Sequence, residues 1–252
     1  MPYKLQGRNV LIVGGARGLG VCIAEKFAAE GCNIAINYLS SQQQADDLAL
    51  RLDKEYNIRT ATIQGDAGIQ ADCVRLVQTA IEKLRGLDII ISNAGWTRFS
   101  NFGDLYALDE GEWDKCWATN VKSNLFLFRE ALPTFNANEE GGVFITTSSI
   151  AGITPSGSSM AYSVTKSAGL HLLKCLKASQ GPKVRINSVL PGLLLTEWGL
   201  QYSAEQIQSW TERSTLKHEV YLDDCADMYV AIAKNTSMTG QEITLGESYL
   251  RP

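Results

Sequence analysis

A tyrosine and a lysine four residues apart, Tyr162 and Lys166, are the side chains in this sequence best suited to proton transfer. They fall in the stretch from Met160 to Lys177, which is rich in small and apolar residues, lacks proline and therefore favours a helix. Residues four apart lie on the same face of a helix, so the phenol and the ammonium point the same way. A free phenol has a pKa of roughly 10, and a nearby positive charge lowers it. The spacing indicates general acid/base chemistry at Tyr162.

Two other polar positions are candidates to assist Tyr162. Ser149 ends an apolar run, Gly142 to Ser148, that has the pattern of a buried strand. Ser148 is the alternative hydroxyl, and because neighbours on a strand point to opposite faces, only one of the two serines is expected to face the phenol. Asn120 lies within a long helical stretch between Asp104 and Asn136 that is broken at most once.

The start of the chain has the pattern of a nucleotide-binding scaffold. Asn9 to Val13 is a short apolar strand, followed by a glycine-rich turn from Gly14 to Gly20 and a helix that runs to about Ala29. Glycines allow the backbone to approach a diphosphate, and the helix N-terminus favours its negative charge. A glycine-rich turn placed between a strand and a helix therefore predicts a dinucleotide site.

The end of the second strand, Asn33 to Tyr38, indicates which dinucleotide binds. An acidic residue there would bind the ribose 2′-hydroxyl of NAD and repel a 2′-phosphate. The segment from Asn37 to Ser41 has no carboxylate, and Ser40 and Ser41 open a helix whose hydroxyl and N–H groups can bind a phosphate. This pattern favours NADP(H) over NAD(H).

Apolar runs and helical patterns alternate along the rest of the chain, which predicts an α/β domain built on a doubly wound sheet. The further predicted strands are Arg59–Gln64, Leu87–Ser92, Gly142–Ser148, Val184–Leu190 and Gln241–Gly246, and the further predicted helices include Gln42–Tyr56 and Asp72–Leu84.

The order of these motifs resembles the short-chain dehydrogenase/reductase family of oxidoreductases, from about Asn9 to Leu245. The motifs are the glycine-rich turn, Asn93-Ala94-Gly95, Asn120, Ser149 and the Tyr162–Lys166 pair. The resemblance implies one Rossmann-type domain over residues 1–252, with a seven-stranded parallel sheet in the order 3-2-1-4-5-6-7 and helices on both faces.

The resemblance also implies roles for the polar residues. The spacing of thirteen residues to Tyr162 selects Ser149, which would bind a carbonyl oxygen while Tyr162 transfers the proton. Lys166 would lower the pKa of Tyr162 and bind the nicotinamide ribose. Asn120 would bend its helix and hold a water that links Lys166 to solvent.

The family's cofactor contacts map onto loops at the ends of several strands. They are Gly14, Arg17, Gly18, Leu19 and Gly20; Tyr38, Ser40 and Ser41; Asp66 and Ala67 near the adenine; Asn93, Ala94 and Gly95; Tyr162 and Lys166; and Pro191, Gly192, Leu194 and Thr196 near the nicotinamide. The chain departs from the family pattern at Val13, where Thr is usual, and at Glu247 and Ser248, where Asp-Gly-Gly is usual after the last strand.

A substrate is expected between two further segments. Trp96, Arg98 and Phe99 lie in the loop after the fourth strand, and residues 193–216 are expected to form a lid with Leu193, Trp198, Tyr202 and Trp210 in its lining. The apolar and aromatic side chains indicate an apolar ketone, whereas Arg98 would suit an anionic group. His171 and His218 are isolated in the sequence and are interpreted as packing or surface residues.

The composition is that of an ordinary globular protein, with 45% hydrophobic residues and a net charge of −4 in 252 residues. The absence of a basic cluster argues against a nucleic-acid partner, and no apolar stretch reaches the roughly 20 residues that span a bilayer. The first eight residues lack the apolar core of a signal peptide, and six scattered cysteines form no metal-binding motif, so a cytoplasmic protein without a metal is expected. By resemblance it is a homodimer or homotetramer.

These features predict a reversible, NADP(H)-dependent oxidoreductase of an apolar or aromatic ketone or secondary alcohol, acting through Ser149, Tyr162, Lys166 and Asn120. A 3-oxoacyl thioester is an alternative substrate. A dehydratase or epimerase, or a nucleotide-responsive binding protein, are alternatives of another class, but both can dispense with the complete set of polar residues that this chain has.

Overall fold

The computed structural model describes residues 3–246, so the sequence departure at Glu247 and Ser248 lies outside the described residues. Within that range, one sheet contains seven parallel strands in the order β3-β2-β1-β4-β5-β6-β7. They are β1 (Asn9–Val13), β2 (Asn33–Tyr38), β3 (Thr60–Gln64), β4 (Ile89–Ser92), β5 (Gly142–Thr147), β6 (Val184–Pro191) and β7 (Glu242–Leu245). The predicted fold class and strand order are confirmed.

The described range contains eight α-helices. They are α1 (Leu19–Ala29), α2 (Gln42–Tyr56), α3 (Gln70–Leu84), α4 (Glu110–Trp117), α5 (Ser123–Ala137), α6 (Met160–Gln180), α7 (Ala204–Arg213) and α8 (Leu222–Lys234). A π-helical turn, Ala118–Lys122, joins α4 to α5, and short 3-10 turns occupy Ile150–Gly152 and Gly199–Gln201. The break expected in the long helical stretch is this π-helical turn, whereas α8 had no counterpart in the sequence prediction.

The sheet is buried on both faces because its strands are apolar at successive positions. In β1, Val10 and Ile12 join a core cluster with residues of α1, α2 and α8, whereas Leu11 and Val13 join the opposite cluster with residues of α3, α5 and α6. Uninterrupted apolar runs of this kind are characteristic of parallel strands covered on both sides. Polar chemistry is consequently confined to the edge at which the strands end.

The strand order reverses at β1, which pairs with β2 on one side and β4 on the other. In doubly wound sheets, this reversal opens a crevice at the carboxyl ends of the strands, where ligands bind. The glycine-rich turn follows β1, and Asn93-Ala94-Gly95 follows β4, so both motifs lie at this crevice.

Asn37 fastens the carboxyl ends of β1, β2 and β3 together. Its side-chain oxygen accepts a hydrogen bond from the Gly14 N–H at 3.0 Å. Its amide nitrogen lies 3.2 Å from the Tyr38 carbonyl and 3.1 Å from those of Ile63 and Gly65. A single buried amide thus satisfies backbone groups from three strand ends.

We expect Asn37→Ala to lower the free energy of unfolding by about 2 kcal/mol, because it leaves buried backbone groups without partners. Urea denaturation followed by circular dichroism measures the change. Gln43→Ala, which removes an exposed hydrogen bond to Asp47, is the control and should change stability by less than about 0.5 kcal/mol. Equal stability of Asn37→Ala and the unmodified protein would contradict this role of Asn37.

Candidate active site

The glycine-rich turn forms a close cradle at the start of α1. A Cβ atom on Gly20 would lie 2.2 Å from the Gly14 carbonyl oxygen, and Gly18 has φ of +52°, which L side chains rarely adopt. Neither a side-chain cap nor an acidic residue occupies the first turn of α1. The uncapped helix end and the shape of the turn suit a diphosphate.

The adenine end of the cleft has a neutral amide where an acid would select NAD. Asn37 lines the cleft, with its oxygen bound to the Gly14 N–H. Ser41 is the N-cap of α2 without a side-chain cap bond, and the first turn of that helix contains no acid. Ser40 and Ser41 both line the cleft, so the residues present there fit a 2′-phosphate.

Arg17 also lines the cleft, and it is paired with an acid. Its guanidinium lies 3.0 Å from the carboxylate of Glu197, which follows β6. Both side chains are largely exposed. The pair joins the glycine-rich turn to the lid segment, and Glu197 would compete with a cofactor phosphate for Arg17.

Helix α6 begins with a serine cap that fixes Tyr162. The Ser159 hydroxyl accepts a hydrogen bond from the backbone N–H of Tyr162 at 3.1 Å. One turn later, the Lys166 ammonium donates to the Thr147 carbonyl at 2.7 Å and lies 5.4 Å from the centre of the Tyr162 ring. The helical spacing therefore brings the two side chains together as the sequence indicated.

The electrostatics of this pair differ from the sequence-based expectation. Burial raises the pKa of Tyr162, aided by Tyr202, and a hydrogen bond with the Ser149 hydroxyl offsets only part of the rise. Burial lowers the pKa of Lys166 to about 8. Loss of hydration thus sets the direction of the Tyr162 pKa in this arrangement, and a lowering of that pKa by Lys166 stays a prediction.

Ser149 is held beside Tyr162 at the end of β5. Its hydroxyl oxygen accepts a hydrogen bond from the Ala151 N–H at 3.1 Å and caps the 3-10 turn. Ser148 is buried, and its hydroxyl has no hydrogen-bond partner in the described residues. Ser149, not Ser148, is thus the hydroxyl that interacts with Tyr162.

Asn120 lies in the π-helical turn and binds the loop after β4. Its side chain accepts from the Trp96 N–H at 2.8 Å and donates to the Trp96 carbonyl at 2.9 Å and to the Thr165 hydroxyl at 3.0 Å. Its own carbonyl accepts from the Asn124 amide at 3.0 Å. Asn120 does not line the cleft. It fastens the Trp96 backbone to helix α6, one residue from Lys166.

Two cavities meet at the catalytic candidates. The first, of about 420 Å³, follows the glycine-rich turn and the ends of the strands, and the second, of about 310 Å³, lies under the lid segment. Five residues line both cavities, and these are Ser149, Tyr162, Leu193, Trp198 and Tyr202. The junction of the two cavities is therefore at the Ser149–Tyr162 pair.

Most of the expected cofactor residues line the first cavity. These are Gly14, Arg17, Gly18, Leu19, Tyr38, Ser40, Ser41, Asp66, Ala67, Asn93, Ala94, Gly95, Tyr162, Lys166, Pro191, Leu194 and Thr196, together with Trp96 from the expected substrate set. Gly20 packs beneath the turn instead, and Gly192 lines the second cavity. These two glycines are thus placed differently from the sequence-based expectation.

The structure places the expected substrate residues in different surroundings. Trp210 lines the second cavity, and Phe99 packs behind its wall against Tyr202, with ring centroids 4.8 Å apart. Arg98 lines neither cavity, because its exposed guanidinium is paired with Glu112 at 2.6 Å. Arg98 is therefore not a substrate contact in this arrangement.

Sequence reasoning missed several lining residues. His218, interpreted as a packing or surface residue, lines the second cavity, where its Nδ1 lies 2.5 Å from the Glu219 carbonyl. Lys115 and Glu197 line the first cavity. Glu197 lies within the expected lid and His218 two residues beyond it, but neither belongs to a motif of the resemblance, and Lys115 reaches the cavity from helix α4. His171 is on an exposed helix face.

Neither a metal-ligand cluster nor a membrane-spanning helix is found in the described residues. No group of three or more histidine, cysteine, aspartate or glutamate side chains there is placed to hold a metal ion. None of the helices within residues 3–246 combines the length and the apolar character needed to cross a bilayer.

The lowered pKa of Lys166 predicts how stability changes with pH. Between pH 8 and 10, the lysine is protonated in the unfolded chain and largely neutral in the folded protein, so the free energy of unfolding rises with pH. We expect Lys166→Met to abolish on the order of 2 kcal/mol of this rise, measured by urea denaturation at several pH values. Lys183→Met, at an exposed position, is the control. An unchanged pH dependence in Lys166→Met would exclude a desolvated ammonium at this position.

The sequence is similar to known proteins over most of its length. Residues 8–206 match the short chain dehydrogenase family. The sequence is 30% identical over 246 residues to the short-chain dehydrogenase/reductase SDRA of Arabidopsis thaliana, which covers 97% of this chain and 93% of that protein. It is 27% identical over 245 residues to the L-rhamnose 1-dehydrogenase (NADP(+)) of Thermoplasma acidophilum, covering 94% of each chain.

A solved structure has a similar fold over nearly the whole length of this chain. A short chain dehydrogenase from Burkholderia cenocepacia J2315 in complex with NADP superimposes with a TM-score of 0.88 at 26% identity, covering 96% of this chain and 98% of that one. The match of the family pattern, the strand order and the two joined cavities lead to one conclusion. The protein belongs to the short-chain dehydrogenase/reductase family of oxidoreductases.

Proposed function

We propose that this protein is an NADP(H)-dependent oxidoreductase that transfers a hydride between the nicotinamide and a ketone or secondary alcohol. The observation that carries the proposal is the junction of the two cavities at Ser149 and Tyr162. A dinucleotide in the larger cavity and a carbonyl compound in the smaller one would meet at these two side chains. The proposed substrates are small molecules, as they are for the family.

Each polar residue at the junction has a separate task. The nicotinamide supplies or accepts the hydride when it is bound. Ser149 donates a hydrogen bond to the carbonyl oxygen, where negative charge develops. Tyr162 is a neutral phenol at neutral pH, because burial raises its pKa, and it therefore has a proton to give in the direction of reduction.

Lys166 and Asn120 support this proton transfer. The ammonium of Lys166 is buried beside Tyr162 and can bind ribose hydroxyls and replace the proton that Tyr162 gives up. Its pKa of about 8 keeps it charged at neutral pH and able to release a proton. Asn120 acts as a positioning residue through its hydrogen bonds to Trp96 and Thr165, and as part of this proposal a water near it would link Lys166 to solvent.

NADP(H) is favoured over NAD(H) by the same residues. Asn37 at the end of β2 and the serines at the start of α2 line the place where a 2′-phosphate would bind. None of these side chains is a carboxylate that would repel the phosphate. Two of the compared proteins are described with NADP, one as a dehydrogenase that uses it and one as a complex.

The lining of the second cavity favours an apolar or aromatic ketone. Trp198, Tyr202 and Trp210 surround it with Leu193 and Val220, and aromatic walls bind flat apolar groups well. With Arg98 paired to Glu112, the anionic substrate suggested by that side chain loses its basis.

A homo-oligomer is part of the proposal. Trp117, Leu125 and Val164 are 37%, 37% and 43% exposed on α4, α5 and α6. Apolar side chains in such positions are typical of contacts between subunits.

The first experiment is titration of NADPH and NADH by fluorescence, followed by absorbance assays with aromatic and aliphatic ketones. Tyr162→Phe should reduce kcat by at least about 10³-fold and leave NADPH affinity nearly unchanged, because it removes the transferable proton but keeps the ring. Tyr106→Phe, at a side chain that is 95% exposed, is the control. Retained turnover in Tyr162→Phe would falsify the assignment, and NADPH binding without turnover of any carbonyl would favour a non-redox or regulatory protein.

Glu197→Gln is expected to tighten NADPH binding by roughly two- to fivefold, because it frees Arg17 from an exposed ion pair worth at most about 1 kcal/mol. The gain should be smaller for NADH if Arg17 binds the 2′-phosphate, and equal for both if it binds the diphosphate. The control is Glu212→Gln, at an acid outside both cavities. Weaker NADPH binding in Glu197→Gln would show that the ion pair retains the cofactor instead of competing with it.

A further inference from the structure

Lys115 is a lysine of helix α4 that lines the first cavity, the one assigned to the dinucleotide. Its side chain is exposed, and its ammonium group lies 5.0 Å from the centre of the Trp96 ring, which lines the same cavity. An indole face attracts a cation, but at an exposed site this attraction is weak. An anion bound in the cavity can therefore compete with the ring for the ammonium.

The loop that carries Trp96 has a fixed position in the cavity wall. The N–H and carbonyl groups of Trp96 both bind the side chain of Asn120, at 2.8 and 2.9 Å. Asn120 belongs to the π-helical turn that directly follows α4. The ammonium of Lys115 is thus held over a part of the wall that is fastened to the end of its own helix.

The charge of Lys115 is not used in an ion pair within residues 3–246. On a helix, the usual partner of a lysine is an acid three or four residues away. The acid at that spacing is Glu112, and both of its carboxylate oxygens are engaged. One lies 2.6 Å from the Arg98 guanidinium, and the other accepts the Asp109 N–H at 3.0 Å. The pair with Arg98 thus leaves the Lys115 ammonium for another anion.

The other cations that line the first cavity have partners. Arg17 is paired with Glu197 at 3.0 Å. Lys166 is buried, and its ammonium donates to the Thr147 carbonyl at 2.7 Å. Among the described residues that line this cavity, Lys115 is therefore the cation whose charge is both exposed and unpaired. A diphosphate needs such a counter-charge in addition to the N-terminus of α1.

The position of Lys115 along the cavity indicates which part of a dinucleotide it faces. Thr119, one helical turn later, lies at the end assigned to the adenine, where a Cβ atom on Gly68 would be 3.1 Å from its hydroxyl. At the end assigned to the nicotinamide, a Cβ atom on Gly95, the residue before the indole, would lie 3.6 Å from the Lys166 ammonium. Lys115 lies between these two ends, beside the middle of the cavity.

The glycine-rich turn borders the same middle part. A Cβ atom on Gly14 would lie 3.0 Å from the backbone of Ala94, so the turn after β1 touches the loop after β4. A diphosphate at the uncapped start of α1 would therefore lie between the glycine-rich turn and the side of the cavity formed by α4.

We propose that Lys115 binds the diphosphate of the dinucleotide from the α4 side of the cavity, exchanging the Trp96 ring for a phosphate oxygen. The inference rests on the proposed binding of a dinucleotide. NADPH and NADH both contain the diphosphate, so Lys115 contributes to the affinity for both and not to the choice between them.

The test measures the dissociation constants of NADPH and NADH by fluorescence titration, without turnover. Lys115→Met keeps the apolar stem and should weaken the binding of both by about three- to fivefold at low ionic strength, the effect of one exposed ion pair. Lys115→Arg retains the charge and should restore most of the affinity. The control is Lys122→Met, at an exposed lysine outside both cavities, which should leave both constants nearly unchanged.

The dependence on salt separates an electrostatic contact from a structural effect. Salt screens an exposed ion pair, so in 1 M NaCl the unmodified protein and Lys115→Met should differ by less than about twofold. A structural defect in Lys115→Met would instead persist at high salt and would lower the melting temperature.

Equal affinity of Lys115→Met and the unmodified protein for both dinucleotides overturns the inference while the proposed function stands. A loss confined to NADPH also overturns it, because that result would assign Lys115 to the 2′-phosphate. A loss that is unchanged in 1 M NaCl overturns it in favour of a structural role. If the unmodified protein binds neither dinucleotide, the proposed function fails first and the inference fails with it.

Discussion

The burial of both faces of the parallel sheet is the constraint on which the rest of this structure depends. Strands that are apolar at successive positions, such as Val10 to Val13, require helices above and below. The functional side chains therefore collect where the strands end. Reversal of the strand order at β1 opens the crevice there, so the cofactor cleft follows from the way the sheet is covered.

Three asparagine side chains hold this edge in shape. Asn37 joins the ends of β1, β2 and β3, and Asn93 donates to the Gly14 carbonyl at 2.9 Å while accepting from the Thr147 hydroxyl at 3.0 Å. Asn120 binds both backbone polar groups of Trp96. An amide both donates and accepts, so one side chain can satisfy backbone groups of two loops that would otherwise be buried without partners. The fixed geometry of the catalytic candidates depends on such contacts.

Burial of Tyr162 and Lys166 determines the charge states of their side chains at the junction of the cavities. Removal from water favours neutral forms, and it raises the pKa of Tyr162 while lowering that of Lys166 to about 8. A protonated phenol beside a lysine that can release a proton is suited to reduction of a carbonyl near neutral pH. Tyr202 adds a second phenol at the junction, and burial raises its pKa to about 12, so it is also neutral near neutral pH.

Sequence alone determined the fold class, the strand order through family resemblance, and the elements that carry Ser149, Tyr162 and Lys166. These features depend on local periodicity and on short motifs, as in the four-residue spacing of Tyr162 and Lys166 on one helix face. The direction of the Tyr162 pKa, the pairing of Arg98 with Glu112, the ion pair between Arg17 and Glu197 and the place of His218 in a cavity wall could not be read in the same way. Each of these depends on burial or on contacts between segments far apart in the chain. Only the packed structure decides them, because desolvation and ion pairing arise from neighbours that no local pattern specifies.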